Sequence, residues 1–280
     1  MPNINELLTT SQGTEGSLLI EKKIYDTLIE AVQKNLIPRD QIATYVAPSG
    51  IPGSSVDIDF ETADSLAVRE IAEGAAVPLD VVECTSTNYK PKKYGVRPLI
   101  TKEMQEDGKF DLLLQNIGRA GKEIAENETS LIITDALDSA GNTVAGGAAA
   151  TIANITRAMQ YLEDADFVPT TLLIGPEFAN DLRNIDTFVE ADKLGSTEMR
   201  MNGFIGKIFG MDVIRVSGNL ITTTTGYVID KSEAIVLVEK RPVTVEQYDD
   251  VTHDMSGAVI TQRIKVGVRR SSAIAKITTS

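Results

Sequence analysis

The chain has 280 residues, 42% of them hydrophobic, with 40 acidic against 27 basic side chains and a net charge of −13. That is enough apolar residue to bury a core in one large or two modest domains, while the acidic balance excludes a sequence-independent DNA binder, which presents a basic face. One cysteine, Cys84, excludes an internal disulfide framework and a multi-cysteine zinc site. No apolar run reaches the roughly 18 residues that span a bilayer, and MPNINELLTT lacks the basic and apolar regions of a secretory signal, so the chain reads as cytosolic in origin.

Taken in order, residues 1–16 are polar and are expected to form an extended arm. Over residues 17–36, Ile20, Ile24, Leu28, Val32 and Leu36 recur every four positions, which predicts an amphipathic helix halted by Pro38. Residues 41–47 read as a short strand, and Pro48, Gly50, Pro52 and Gly53 punctuate the turn after it. Val56, Ile58 and Phe60 then alternate with Asp57 and Asp59, a period-two strand. Residues 66–71 continue extended, 73–78 turn, 79–89 are β-branched, and 90–97 carry on past Pro91. Together, residues 54–98 read as a two-stranded excursion whose limbs of about 18 residues would reach about 60 Å. A lone ribbon is marginal in water. Its expected bed is a neighbouring subunit rather than its own core.

After a helical turn at 101–106 comes residues 111–137, around which the rest is organised. Leu113, Ile117, Ala120, Ile124, Leu131, Ile132 and Ala136 draw one apolar stripe, and Arg119, Lys122, Glu123, Glu126 and Glu128 are placed on the opposite face. Asp111 is the expected N-cap and Gly141 a late stop. At about 1.5 Å per residue the helix is about 40 Å long, against an expected radius of gyration of about 19 Å. It reads as a spine. Residues 136–150 are small and read as a flexible boundary. Beyond it, helices at 151–161 and 176–183 alternate with strands at 170–174, 207–216, 227–229 and 234–238, around an irregular stretch at 185–201. Strands at 243–248, 258–268 and 272–278 close the chain.

No active site assembles from these letters. Gly203, Gly206 and Lys207 imitate a phosphate loop, but Met201 and Ile208 stand where glycine and a hydroxyl residue are required. His253, the single histidine, sits among Asp249, Asp250 and Asp254, a pattern that a polar turn produces as readily as a metal site. Cys84 has no histidine beside it, and the carboxylates Glu163, Asp164 and Asp166 fall in a turn. The triplets at Asn127 and Asn154 match a glycosylation acceptor only by chance. No catalytic, cofactor-binding or metal-ligating residue is assigned.

The order of parts resembles the major capsid proteins of tailed bacteriophages and related archaeal viruses, the Hong Kong 97 phage fold. VREIAEGAAVP at 68–78, running into YKPKKYGVRPLITKEMQED at 89–107, resembles that family's extended loop and its descent into the spine. TTLLIGPEFANDLRN at 170–184 and GFIGKIFGMDVIRV at 203–216 resemble elements of its axial domain, and ITQRIKVGVRRSSAIAKIT at 260–278 its closing strands. The likeness runs from about residue 17 onward. It implies an α+β fold divided into an arm (1–53), an extended loop (54–98), a peripheral domain with the spine (99–145 and 239–280) and an axial domain (146–238).

By the same resemblance the chain is a structural, non-enzymatic shell protein without cofactor. It assembles with itself through hexamers and pentamers into an icosahedral virion capsid around double-stranded DNA, in the host cytoplasm. Expected partners are a separate scaffolding protein, since Met1 opens directly onto the arm, a portal and decoration proteins; no membrane is involved. Lys90, Lys92 and Lys93 lie where some relatives form covalent cross-links, but no partner asparagine is identifiable and no such site is assigned. The rival within the fold is an encapsulin, a nanocompartment shell, with the helix at 17–36 on its inner wall. A remote alternative is an α/β enzyme or binding protein.

Overall fold

The computed structural model describes residues 26–28, 30–32, 39–46, 53–61, 68–74, 76, 77, 79, 84–107, 112–185, 206–250 and 252–279. The arm at 1–16, most of the helix at 17–36, the cap Asp111, the stretch 186–205 and Gly203 lie outside the described residues; 26–28 and 30–32 are helical. The architecture is α+β, with one helix core, two sheets and a ribbon.

The first sheet has five strands: β1 (Thr44–Val46), β4 (Lys92–Val96), β5 (Leu99–Thr101), β11 (Ile235–Asp250) and β12 (Met255–Val268), in the order β1-β11-β12-β4 with β5 also on β12. The second has six, in the order β6-β13-β10-β7-β9-β8: β6 (Asn142–Ala145), β7 (Thr171–Ile174), β8 (Lys207–Ile208), β9 (Met211–Arg215), β10 (Thr225–Ile229) and β13 (Ile274–Thr278). The ribbon pairs β2 (Val56–Glu61) with β3 (Cys84–Tyr89). The helices are α1 (Arg39–Ile42), α2 (Lys102–Asp107), α3 (Leu112–Leu131), α4 (Ile152–Glu163) and α5 (Pro176–Arg183).

The spine is α3, about 30 Å long at 1.5 Å per residue. It continues as a wider π turn over Ile132–Ala136 and ends in a short tight turn, Leu137–Ser139. The π turn adds a residue to one turn, and this brings Ile132, Ile133, Ala136 and Leu137 together on the buried side. Its first half packs Ile117, Ala120 and Ile124 against Ala258 and Ile260 of β12 and against Leu28 and Val32. Its last turns join the two sheets: Ile132, Ile133, Ala136 and Leu137 meet Ile235, Leu237 and Val266 from one and Leu173, Tyr227 and Ile229 from the other. Each such isoleucine or leucine contributes about 1.5–3 kcal/mol by leaving water. The six-stranded sheet is covered on its other face by Ile155, Ala158 and Leu162 of α4 and Phe178, Ala179 and Leu182 of α5. Cover on both faces explains the unbroken apolar run of β7.

Five expectations are corrected. Residues 39–42 are helical, so the strand expected at 41–47 is only Thr44–Val46. Residues 92–96, read as a ribbon limb, are β4, paired with Ile260–Ile264 of the chain's own sheet. The flexible boundary at 136–150 contains β6, parallel to β13, and Gly141 approaches Ser271, its N–H donating to that carbonyl at 2.8 Å, rather than stopping the helix. The single strand expected at 207–216 is a hairpin, β8–β9, turned by Phe209 and Gly210 at φ 49° and 84°, the mirror-image turn that suits a two-residue loop. The strands expected at 234–238 and 243–248 are one strand, β11. Pro242 is tolerated because the register shifts between Arg241 and Thr244, where no ladder N–H is needed.

Candidate functional site

Among the described residues, the ribbon packs on its own subunit at its base. Val56 and Tyr89 are buried against Val236 and Val238 of β11, with Ile58 packed beside them. The Tyr89 ring lies over Gly267, where an added Cβ would fall 2.0 Å from the ring, so only glycine fits. Its hydroxyl donates to the Val268 carbonyl at 3.1 Å, and burial raises its pKa against the opposing charge of Arg269. Period two then places Asp57 and Asp59 on the ribbon's other face, exposed, and Asn88 donates to Asp57. β3 is exposed at every residue but Tyr89. Near the tip, Val68, Val77 and Leu79 are 106%, 77% and 89% exposed. Large apolar side chains left this exposed on one excursion suit an interaction surface.

Beneath the ribbon, a buried ionic network ties three distant segments together. Arg39 of α1 donates Nε and Nη2 to the two Glu128 oxygens, both at 2.7 Å, a fork-to-fork pair. Its Nη1 reaches Glu239 of β11 at 3.2 Å, and Gln262 Nε2 of β12 donates to Glu128 at 2.9 Å. Burial works against the Arg39 charge, but the two carboxylates outweigh it, and its pKa is raised above the ordinary value. Glu128, placed on the solvent face by its letter, is 1% exposed. It falls four residues after Ile124 and four before Ile132, inside the stripe. That spacing was the available signal.

A second polar group closes the end of the spine. Tyr227 donates to Asp138 at 2.9 Å and Lys276 donates to the same oxygen at 2.8 Å. Burial and the carboxylate beside it raise the Tyr227 pKa; burial would raise that of Asp138, but its two donors hold it below the ordinary value.

A model of the family described as phage capsid protein matches residues 85–277. The chain belongs to the phage capsid protein family. Its structure superposes on a chain of the bacteriophage PhiM1 mature capsid with a TM-score of 0.66 at 11% identity, covering 87% of each. For a Mycobacterium phage Che8 structure the score is 0.65 at 19% identity, covering 81% of this chain and 85% of that one. For a virus-like particle from Pyrococcus furiosus it is 0.63 at 14%, covering 92% and 99%. At these identities the likeness is one of fold. None of the curated proteins matches.

The role of this capsid chain is structural, as a self-associating component of the virion. The residues weighed for chemistry do not converge. Cys84 is exposed on the ribbon, His253 meets Asp250 at 2.8 Å in the exposed β11–β12 turn, and Lys207 pairs with Asp212 at 3.2 Å at the far edge of the six-stranded sheet. Among the described residues, no group of three His, Cys, Asp or Glu side chains is disposed to hold a metal ion, and no helix is long and apolar enough to cross a membrane.

Proposed function

We propose that the chain self-assembles through hexamers and pentamers into an icosahedral shell that encloses double-stranded DNA without reading its sequence. The observation that carries the proposal is the ribbon: six paired residues per limb, held at the base by Val56, Ile58 and Tyr89, with Asp57, Asp59 and residues 84–88 exposed, in a member of a capsid family. A two-stranded sheet of that kind gains stability only from a third surface, and in a closed assembly that surface is another copy. The division into arm, ribbon, peripheral domain and axial domain belongs to the same proposal. So does the absence of catalysis: function here is geometry and interface energy summed over many contacts. A scaffolding protein, a portal and decoration proteins are the partners such a shell needs, and the host cytoplasm is the place of assembly.

The experiment is negative-stain microscopy of the purified chain, alone and expressed with the scaffold of its phage. Closed shells, or six-fold and five-fold rings, are expected. A monodisperse monomer in both conditions contradicts the proposal. The nanocompartment reading ranks second to the phage reading because the matched family is one of phage capsids. Shells filled with a single co-purified protein and devoid of DNA would reverse that order.

A further inference from the structure

The sheet face to which the ribbon base is fastened carries an unusual row of charge. Lys93 of β4 lies directly opposite Arg263 of β12, and Arg263 directly opposite Arg241 of β11. Adjacent strands lie about 4.7–4.9 Å apart, so three cations stand side by side across three strands. Like charges directly opposite one another destabilise a sheet. With Lys240 and Pro91 these three line one open cavity of about 440 Å³. Among the described residues, no carboxylate pairs with any of the four. Arg241 donates to the Thr261 hydroxyl at 2.7 Å and Arg263 to the Pro91 carbonyl at 3.1 Å; Lys240 donates to the Gly53 carbonyl. The buried Nε of Arg241 meets no acceptor among the described residues. In a chain with 40 acidic and 27 basic side chains, four clustered cations that meet no carboxylate among the described residues form a surface suited to an anionic partner.

We infer that this row is the docking site for the acidic face of the ribbon of a second copy, with Asp57 and Asp59 as the carboxylates that enter it. The inference rests on the shell reading above and names the surface on which that ribbon lies. Three features select this occupant. Val56 and Ile58 turn toward the ribbon's own sheet, so Asp57 and Asp59 point away from their own subunit and are exposed. Alternate residues of a strand stand about 6.6–6.8 Å apart, a spacing that lets two carboxylates engage two members of the row. Arginine receives a carboxylate through two parallel N–H donors, which fixes register as well as affinity. The own ribbon leaves from the edge of this site at Tyr89 and Pro91, and its described acidic residues Asp57 and Asp59 face away from the sheet that carries the row.

The test is a charge exchange read by sedimentation of assembled material, with circular dichroism confirming each fold. Asp57→Lys with Asp59→Lys reverses the ribbon face; Lys93→Glu with Lys240→Glu reverses the row. Each double variant is expected to reduce the assembled fraction about tenfold, and the four-fold variant to return it to within about twofold of the natural chain. Lys93→Glu alone, at an exposed side chain without a bonded partner among the described residues, keeps the test valid if the Lys240 change unfolds the subunit, and a fall in assembly is again expected. Failure of the four-fold variant to recover, or normal assembly of either double variant, overturns the inference while leaving the shell reading intact. Normal assembly of the row variant with loss of retained DNA overturns it in favour of nucleic-acid phosphate as the occupant. Failure of the natural chain to assemble removes both.

Discussion

The six-stranded sheet and the two-stranded ribbon are built from similar letters and end in opposite situations. In the sheet, β10 buries all five of its residues and β7 all four, because helices cover one face and the spine's last turns the other. In the ribbon, β3 buries one residue of six. The alternation of Val56, Asp57, Ile58 and Asp59 is that of a half-buried strand, and among the described residues only the base is packed against the subunit. The sheet is complete within the subunit. On the proposed assembly the ribbon is completed by another copy, and a substitution should therefore act on folding in one region and on association in the other.

The largest effect on the subunit is expected where a buried charge loses its partner. Arg39→Met removes the guanidinium that Glu128 and Glu239, 1% and 6% exposed, share, and should cost about 3–5 kcal/mol in denaturant unfolding. Next comes Leu173→Ala in β7, at a fully buried position between the sheets, with an expected loss of about 2–5 kcal/mol by the same measurement. Val77→Ser with Leu79→Ser, at the ribbon tip, should change subunit unfolding by no more than about 0.5 kcal/mol while lowering the assembled fraction. A loss of subunit stability there would place the tip inside the subunit's own core.

The smallest effect concerns acid. Asp138 is held below its ordinary value by Lys276 and Tyr227, so its contribution is complete above that value and is lost as the pH falls through the lower, folded-state pKa. Lys276→Met removes one donor, Asp138 then takes its proton at higher pH, and the acid transition should begin earlier on acidification. Because Asp138 is 47% exposed, solvent screening keeps the pair at about 0–1 kcal/mol, to be read from thermal midpoints across the acid range.

Local chemistry was legible in the letters. Pro176 at the first turn of α5 announced a helix at 176–183, whereas Thr151, read as the first residue of a helix, is the cap of α4, its hydroxyl accepting the Asn154 N–H at 3.3 Å. The stripe through Ile117, Ile124 and Ile132 gave the spine, because helical period is a property of neighbours. The ionic network was not legible. The place of Glu128 within the stripe marks it as buried, but Arg39 and Glu128 are 89 positions apart, Arg39 and Glu239 are 200, and no local spacing pairs them. The row of Lys93, Arg263 and Arg241 was hidden for the same reason, since it exists only once β4, β12 and β11 are in register. Residues 92–96 were assigned to the ribbon because an extended segment does not state which strand it will pair with.

The most direct test of the ribbon's role is to shorten it. Glu61 and Cys84 lie opposite each other, so residues 62–83 can be replaced by Asn-Gly, the two-residue turn that closes an antiparallel pair. Val56, Ile58 and Tyr89 remain at the base, and nothing in either sheet is touched. Thermal melting of this variant, beside sedimentation of the assembled material, should show a subunit that melts with the natural chain and no longer forms shells. Normal shells from the shortened chain, or a subunit that fails to fold, would contradict it.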